Sequence, residues 1–162
     1  MPQSPNASTV FRCILCPVDF SAGSRNAFRY AAALARTCKS TLLVMYVDDP
    51  LLAIAAASRD DARATIRAGE RALQRFVRSA AGADLPITLI TAAGTPATEI
   101  VKTARRHHCD LVVMGYRGVG RASRLLFGST TEGVLRAASV PVLASPPSRR
   151  RARRPRAVRQ AS

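Results

Sequence analysis

Five short apolar runs, separated by segments whose apolar residues recur at helical spacing, constrain this chain more than any other feature. The runs are residues 11–18, 41–47, 86–92, 110–114 and 140–144. Each has the length of a strand and is nearly continuous in apolar side chains. A strand wetted on one face would alternate. A continuous one is buried on both faces, as in a parallel sheet covered by helices. Between the runs, Ala27, Phe28, Ala31, Leu34 and Ala35 mark a first helix, with Ser21 or Ser24 as its cap and Lys39-Ser40 at its close. Ala62, Ile66, Leu73, Phe76, Val77 and Ala80 mark a second over residues 58–81, while residues 51–57 are apolar without a clear period. A third begins at Gly94-Thr95-Pro96, with Thr95 as N-cap, Pro96 in the first position, Glu99 complementing the dipole and Ala97, Ile100, Val101 and Ala104 facing inward. His107 and His108 close it, and read as structural. Ser129-Thr-Thr-Glu132 has the form of a capping box and opens a fourth, whose apolar face is Val134, Leu135 and Ala138. The order βαβαβαβαβ predicts an α/β fold: a five-stranded parallel doubly wound sheet with helices on both faces and right-handed crossovers. A length of 162 residues fits one domain, over residues 10–147.

Sheets of this kind bind ligands at the carboxyl ends of their strands, where the strand order reverses. Only two runs end in conspicuous chemistry. The first ends in Pro17-Val18-Asp19, and the fourth runs into a basic glycine loop that starts at Gly115-Tyr-Arg117-Gly118 and ends at Gly128-Ser129-Thr130-Thr131. These two strands are therefore predicted to be neighbours at the switch point. Strand, glycine loop and helix N-terminus together make a phosphate cradle. Glycine admits close backbone approach, and the free amides of a first helical turn favour an anion. The loop lacks the Gly-x4-Gly-Lys-Ser/Thr of a Walker motif. It also follows the fourth strand rather than the first, unlike a dinucleotide fingerprint. Arg121 and Arg124 add cations to it. Taken singly, Asp19 and Ser129 are equally well read as helix caps.

Composition narrows the rest. The formal net charge is +15, and seven arginines fall in residues 149–162. That segment, 148–162, has no core residues and is expected to be a disordered Arg-rich tail, as residues 1–9 are expected to be flexible. Arg59, Arg63, Arg67, Arg71 and Arg75 repeat every four residues along the second helix and read first as a solvated face. The charge attracts anions generally, so weak non-specific nucleic acid binding by the tail is a second reading. No helix-turn-helix, finger or RNA-binding motif accompanies it. Cys13-Ile-Leu-Cys16 lies within a strand, where residues three apart point to opposite faces, so Cys13, Cys16, Cys38 and Cys109 are expected to be small core residues rather than a redox motif or metal site. No apolar run approaches the ~18 residues of a membrane span, and no secretory signal is evident. A cytoplasmic protein without membrane attachment is expected.

The residues together resemble a known family. Gly115, two residues, Gly118, nine residues, then Gly128-Ser129 is similar to the nucleotide-binding signature of the universal stress proteins. Ile14-Leu-Cys-Pro-Val-Asp-Phe-Ser21 resembles that family's opening strand, Gly94-Thr-Pro-Ala97 through Glu99 its third-helix entry, and Asp110-Leu-Val-Val-Met-Gly115 and Val140-Pro-Val-Leu143 its last two strands. Cys16, Tyr46 and Gly133 are looser matches, and the resemblance spans residues 10–146. It implies a Rossmann-like, adenine nucleotide α-hydrolase-like fold and a homodimer joined through the last strand, residues 140–144. The full glycine signature implies the subclass that binds ATP. Carried over by position, Asp19 would hold the ribose hydroxyls. Pro17, Val18 and Val47 would line adenine and ribose. Met114, Gly115, Gly118, Gly128, Ser129, Thr130 and Thr131 would wrap ribose and phosphates. Arg117 lies in the same loop and would reach phosphate, and Mg²⁺ would sit with ATP near Ser129.

No catalytic machinery is evident. Phosphoryl transfer needs a placed base or a water-orienting group, and Glu132 is accounted for by capping. The chain therefore reads as a nucleotide-dependent regulatory or stress-response protein with at most slow ATP hydrolysis. The alternatives are a basic polyanion-binding scaffold and a family member that does not bind nucleotide.

Overall fold

In a computed structural model, residues 10–49, 59–80, 85–116 and 127–147 are described. The expectations for residues 1–9, 51–57 and 148–162, and those for Arg117, Gly118, Arg121 and Arg124, fall outside these. So do the side chains of Arg59, Ala62, Arg63, Ile66 and Ala80. The elements are β1 (Cys13–Pro17), α1 (Ala22–Cys38), β2 (Thr41–Asp48), α2 (Arg59–Ala80), β3 (Ile87–Ala93), α3 (Pro96–Arg106), β4 (Leu111–Gly115), α4 (Ser129–Ala137) and β5 (Val142–Ser145).

The strands form one parallel sheet in the order β3-β2-β1-β4-β5. β1 pairs with β2 through Ile14↔Leu42 and with β4 through Ile14↔Leu111, so the strand order reverses between β1 and β4 as expected. Side-chain alternation builds two cores. Ile14, Cys16, Leu42, Val44, Leu111 and Val113 pack beneath α1 and α2, against Phe28, Leu73 and Phe76. Leu15, Leu43, Met45, Val112 and Met114 pack against Ile100 and Ala104 of α3 and Val134 of α4. The continuous apolar runs of the central strands are thus explained, since helices cover both of their faces, while β3 at the sheet edge leaves Thr88, Leu89 and Ala93 exposed.

Several boundaries move for local reasons. β1 begins at Cys13 rather than residue 11, because the Arg12 amide donates to the Asp110 carboxylate (2.9 Å) instead of a strand partner. Asp110 is correspondingly outside β4. β5 begins after Pro141, which has no amide to give, and it is an edge strand. Ser21 is the N-cap of α1, its hydroxyl accepting from the Ser24 amide at 3.1 Å. Thr95 occupies the N-cap position of α3 but makes no side-chain cap bond. The expected capping box on α4 is absent. Gly128 takes the cap position, Ser129 is the first helical residue, and Glu132 pairs instead with Arg136 at 2.7 Å.

Ser145, at the end of β5, is 2% exposed and its hydroxyl has no hydrogen-bond partner among the described residues. A buried hydroxyl without a partner costs free energy. Ser145→Ala is expected to stabilise the fold by about 1 kcal/mol, read as a higher urea midpoint with an unchanged slope.

Candidate functional site

The carboxyl ends of β1 and β4 lie side by side. Extending the pairing of Leu15 with Val112 brings Val18 level with Gly115. Pro17 and Val18 are buried at the end of β1, the Val18 amide donating to the Met45 carbonyl at 2.8 Å. Asp19 is exposed. One of its carboxylate oxygens accepts from the Ser21 amide at 3.0 Å, so it buttresses the cap of α1 without being the cap. The other oxygen has no protein partner among the described residues and is available for hydroxyl donors.

Phe20 follows in the left-handed region, with φ 62°. That conformation is strained for a bulky residue. Its ring is held by stacking on Tyr46 (centroids 4.9 Å) and by Phe76 (5.8 Å), over whose ring the Arg25 guanidinium lies at 5.0 Å. Sequence reasoning missed Phe20, and only the aromatic directly after Pro-Val-Asp hints at it. The turn at Phe20 carries the chain from Asp19 into α1.

Packing alone requires glycine at position 115. A Cβ there would lie 2.8 Å from the Gly23 carbonyl carbon and 3.0 Å from the Ser24 nitrogen. The close neighbour is the backbone of the first turn of α1. This contact locks the end of β4 to the segment that carries Asp19.

The loop that leaves β4 is closed at its base. The Gly128 amide donates to the Tyr116 carbonyl and the Tyr116 amide to the Ser145 carbonyl, both at 3.0 Å. Tyr116 and Phe127 meet edge to face at 6.2 Å. Neither aromatic was singled out from sequence. Thr131 is 2% exposed and its hydroxyl donates to the Gly115 carbonyl at 3.0 Å. It is placed as a strut between β4 and α4 rather than as a free phosphate donor. Met114, 4% exposed, packs in the core against the α3 and α4 side, and Val47 lies at the margin of the same core. Ser129 is exposed and Thr130 half-buried. With glycine as the N-cap, no side chain caps α4. The first amides of an α-helix have no intrahelical acceptor, and they carry the positive end of the dipole. Here they sit at the returning end of the loop. Among the described residues no cluster of three or more metal-ligating side chains occurs.

The profile of the universal stress protein family matches residues 11–146. The chain belongs to that family. Universal stress protein MJ0531 of Methanocaldococcus jannaschii is 30% identical over 142 residues, 85% of this chain and 84% of that protein. The fold is shared with the solved structure of hypothetical protein MJ0577, at a TM-score of 0.75 and 22% identity over 86% of this chain and 99% of that one. It is shared also with a universal stress protein solved in complex with cAMP, at 0.63 and 22% over 85% and 98%. In this universal stress protein, the residues brought together from the sequence are Pro17, Val18 and Asp19 on one side of the switch point and Gly115, Gly128, Ser129 and Thr130 on the other. No described helix is long and apolar enough to cross a membrane.

Proposed function

We propose that this universal stress protein binds an adenine nucleotide, ATP by preference, in the crevice between the ends of β1 and β4, and acts as a regulatory nucleotide holder. The observation that carries this reading is the uncapped start of α4, tied by the bonds at the base of the loop to the end of β4, the neighbour of the strand that leads into Asp19. Free amides suit phosphate oxygens, and a carboxylate suits a pair of ribose hydroxyls. The spacing of Gly115, Gly118 and Gly128-Ser129 supports it, as does the cAMP complex of a protein with this fold. With ATP, Mg²⁺ would be shared between phosphates and the Ser129 hydroxyl. The edge position of β5 supports a homodimer through that strand. Free thiols at all four cysteines suit the reducing cytoplasm, where ATP is supplied.

The holder is not an engine in this reading. Asp19 is tied to the Ser21 amide and Glu132 to Arg136, so neither is poised to orient water at the phosphates. Incubation with γ-labelled ATP and Mg²⁺ tests both halves. Label retained through gel filtration with turnover no faster than a few per hour is expected. Fast Mg²⁺-dependent release of phosphate would overturn the second half, and no retained label the first.

A second reading draws on charge. Arg25, Arg29 and Arg36 of α1 and Arg67, Arg71 and Arg75 of α2 are exposed on the same side of the sheet, and none forms an ion pair among the described residues. A polyanion held there would be released steeply by salt.

A further inference from the structure

At the opposite end of the same two strands, the Sγ atoms of Cys13 and Cys109 lie 2.9 Å apart, although 96 residues separate them in sequence. Three hydrogen bonds clamp the two segments together. The Asp110 amide donates to the Cys13 carbonyl at 2.9 Å, and the Asp110 carboxylate accepts from the amides of Arg12 (2.9 Å) and Cys13 (3.2 Å). The thiols meet because the first residue of β1 and the residue two before β4 are held in register. Cys16, on the other face of β1, is fully buried and belongs to the other core. Of the four cysteines expected to be small core residues, Cys16 and Cys109 are buried, Cys13 and Cys38 are partly exposed, and Cys13 and Cys109 form a facing pair.

The pair is reachable. Cys13 is partly exposed. Cys109 is 4% exposed and lines a cleft of about 310 Å³ between α3, the start of β4 and the turn into β5, flanked by Arg105 and His108. A small oxidant fits such a space.

We propose that Cys13 and Cys109 are an oxidative modification site, forming a reversible intramolecular disulfide with a hydroperoxide as the oxidant. The Cys13 thiolate attacks one peroxide oxygen and the O–O bond breaks. Cys13 becomes a sulfenic acid, and the departing alkoxide or hydroxide takes up the proton that the thiol gave. The Cys109 sulfur then attacks the Cys13 sulfur. The S–S bond forms, and the sulfenic oxygen leaves as water with the Cys109 proton. Two thiols and one hydroperoxide give a disulfide, one alcohol or water, and one further water. A dithiol reverses the step by exchange.

The roles follow from the environment. Burial raises both thiols above the ordinary cysteine range, and the Asp110 charge adds to the rise. Cys13 is the more exposed of the two and Cys109 the more buried, which makes Cys13 the first nucleophile. The reaction therefore accelerates as pH rises above neutrality. Arg105 lines the cleft beside Cys109, and the Asp110 carboxylate is bonded to the amides of Arg12 and Cys13.

The test uses the full chain treated with hydrogen peroxide at several pH values, digested without reduction and read by mass spectrometry. A linked Cys13–Cys109 peptide is expected to dominate over any pairing of Cys16 or Cys38. The cross-link closes a long loop in the unfolded chain, so the oxidised protein should melt about 5–15 °C higher, and dithiothreitol should restore the original value. Cys109→Ser should stop the reaction at a dimedone-reactive sulfenic acid on Cys13 and abolish the shift. Cys38→Ser should change neither. Linkage through other cysteines, or the same melting shift in Cys109→Ser, would overturn the proposal. So would peroxide treatment that leaves both thiols free at high pH. None of these outcomes depends on whether the distant crevice binds nucleotide.

Discussion

Replacing Asp19 with alanine weakens ATP binding by about 10- to 100-fold and leaves the fold intact. The loss corresponds to removing a charged acceptor for two hydroxyl donors, about 1.5–3 kcal/mol. The fold survives because Asp19 is exposed, and its bond to the Ser21 amide supplements a cap that Ser21 itself provides. The structural cost of that bond is about 0.5–1 kcal/mol. Asp19→Asn separates the two roles. Its amide oxygen still accepts from the Ser21 amide, so stability returns to that of the wild type. Binding stays weakened, because one of the two acceptor oxygens has become a donor. Calorimetric titration with ATP, alongside urea denaturation, reads both. If Asn restores affinity together with stability, Asp19 serves only the turn into α1.

Gly115→Ala is expected to cost about 1–3 kcal/mol of stability and to weaken nucleotide binding with it. The backbone at Gly115 has no positive φ, so alanine is not excluded by conformation. It is excluded by space. The added methyl meets the Gly23 carbonyl carbon at 2.8 Å and the Gly23 oxygen at 3.1 Å, and these are main-chain atoms that cannot rotate away. Relief requires α1 to move off β4. The first turn of α1 is continuous with Asp19, Phe20 and Ser21, so its movement opens the crevice. For a chain of this size the melting temperature should fall by about 3–10 °C. An unchanged melt and unchanged affinity would show that the two segments are not locked in the way described.

Much of this was legible before any coordinates. The continuous apolar runs contained the two-sided burial of the sheet. The placement of Asp19 and the glycine loop at two strand ends implied the β1–β4 neighbourhood. What stayed hidden depended on register and on competition between neighbouring groups. The facing of Cys13 and Cys109 exists only once β1 and β4 are aligned, and no local pattern encodes that alignment. The Ser129-x-x-Glu132 pattern fits a capping box equally well. It is displaced because the Gly128 amide bonds to the Tyr116 carbonyl and the helix starts one residue earlier, with Gly128 as its cap. Gly115 and Thr131 were both read as ligand-facing, and both are engaged with protein backbone. A phosphate loop and a tightly packed strand end use the same small and hydroxylated residues, so composition alone cannot separate them.

The central claim is that the crevice at the β1–β4 switch point holds an adenine nucleotide. Calorimetric titration of the full-length protein with ATP, with and without Mg²⁺, tests it most directly when AMP, cAMP and GTP are run in parallel. Saturable binding of one ATP per chain, tighter than GTP and competed by AMP, is the predicted result. No saturable heat for any of these nucleotides, from protein that melts cooperatively, would contradict the account.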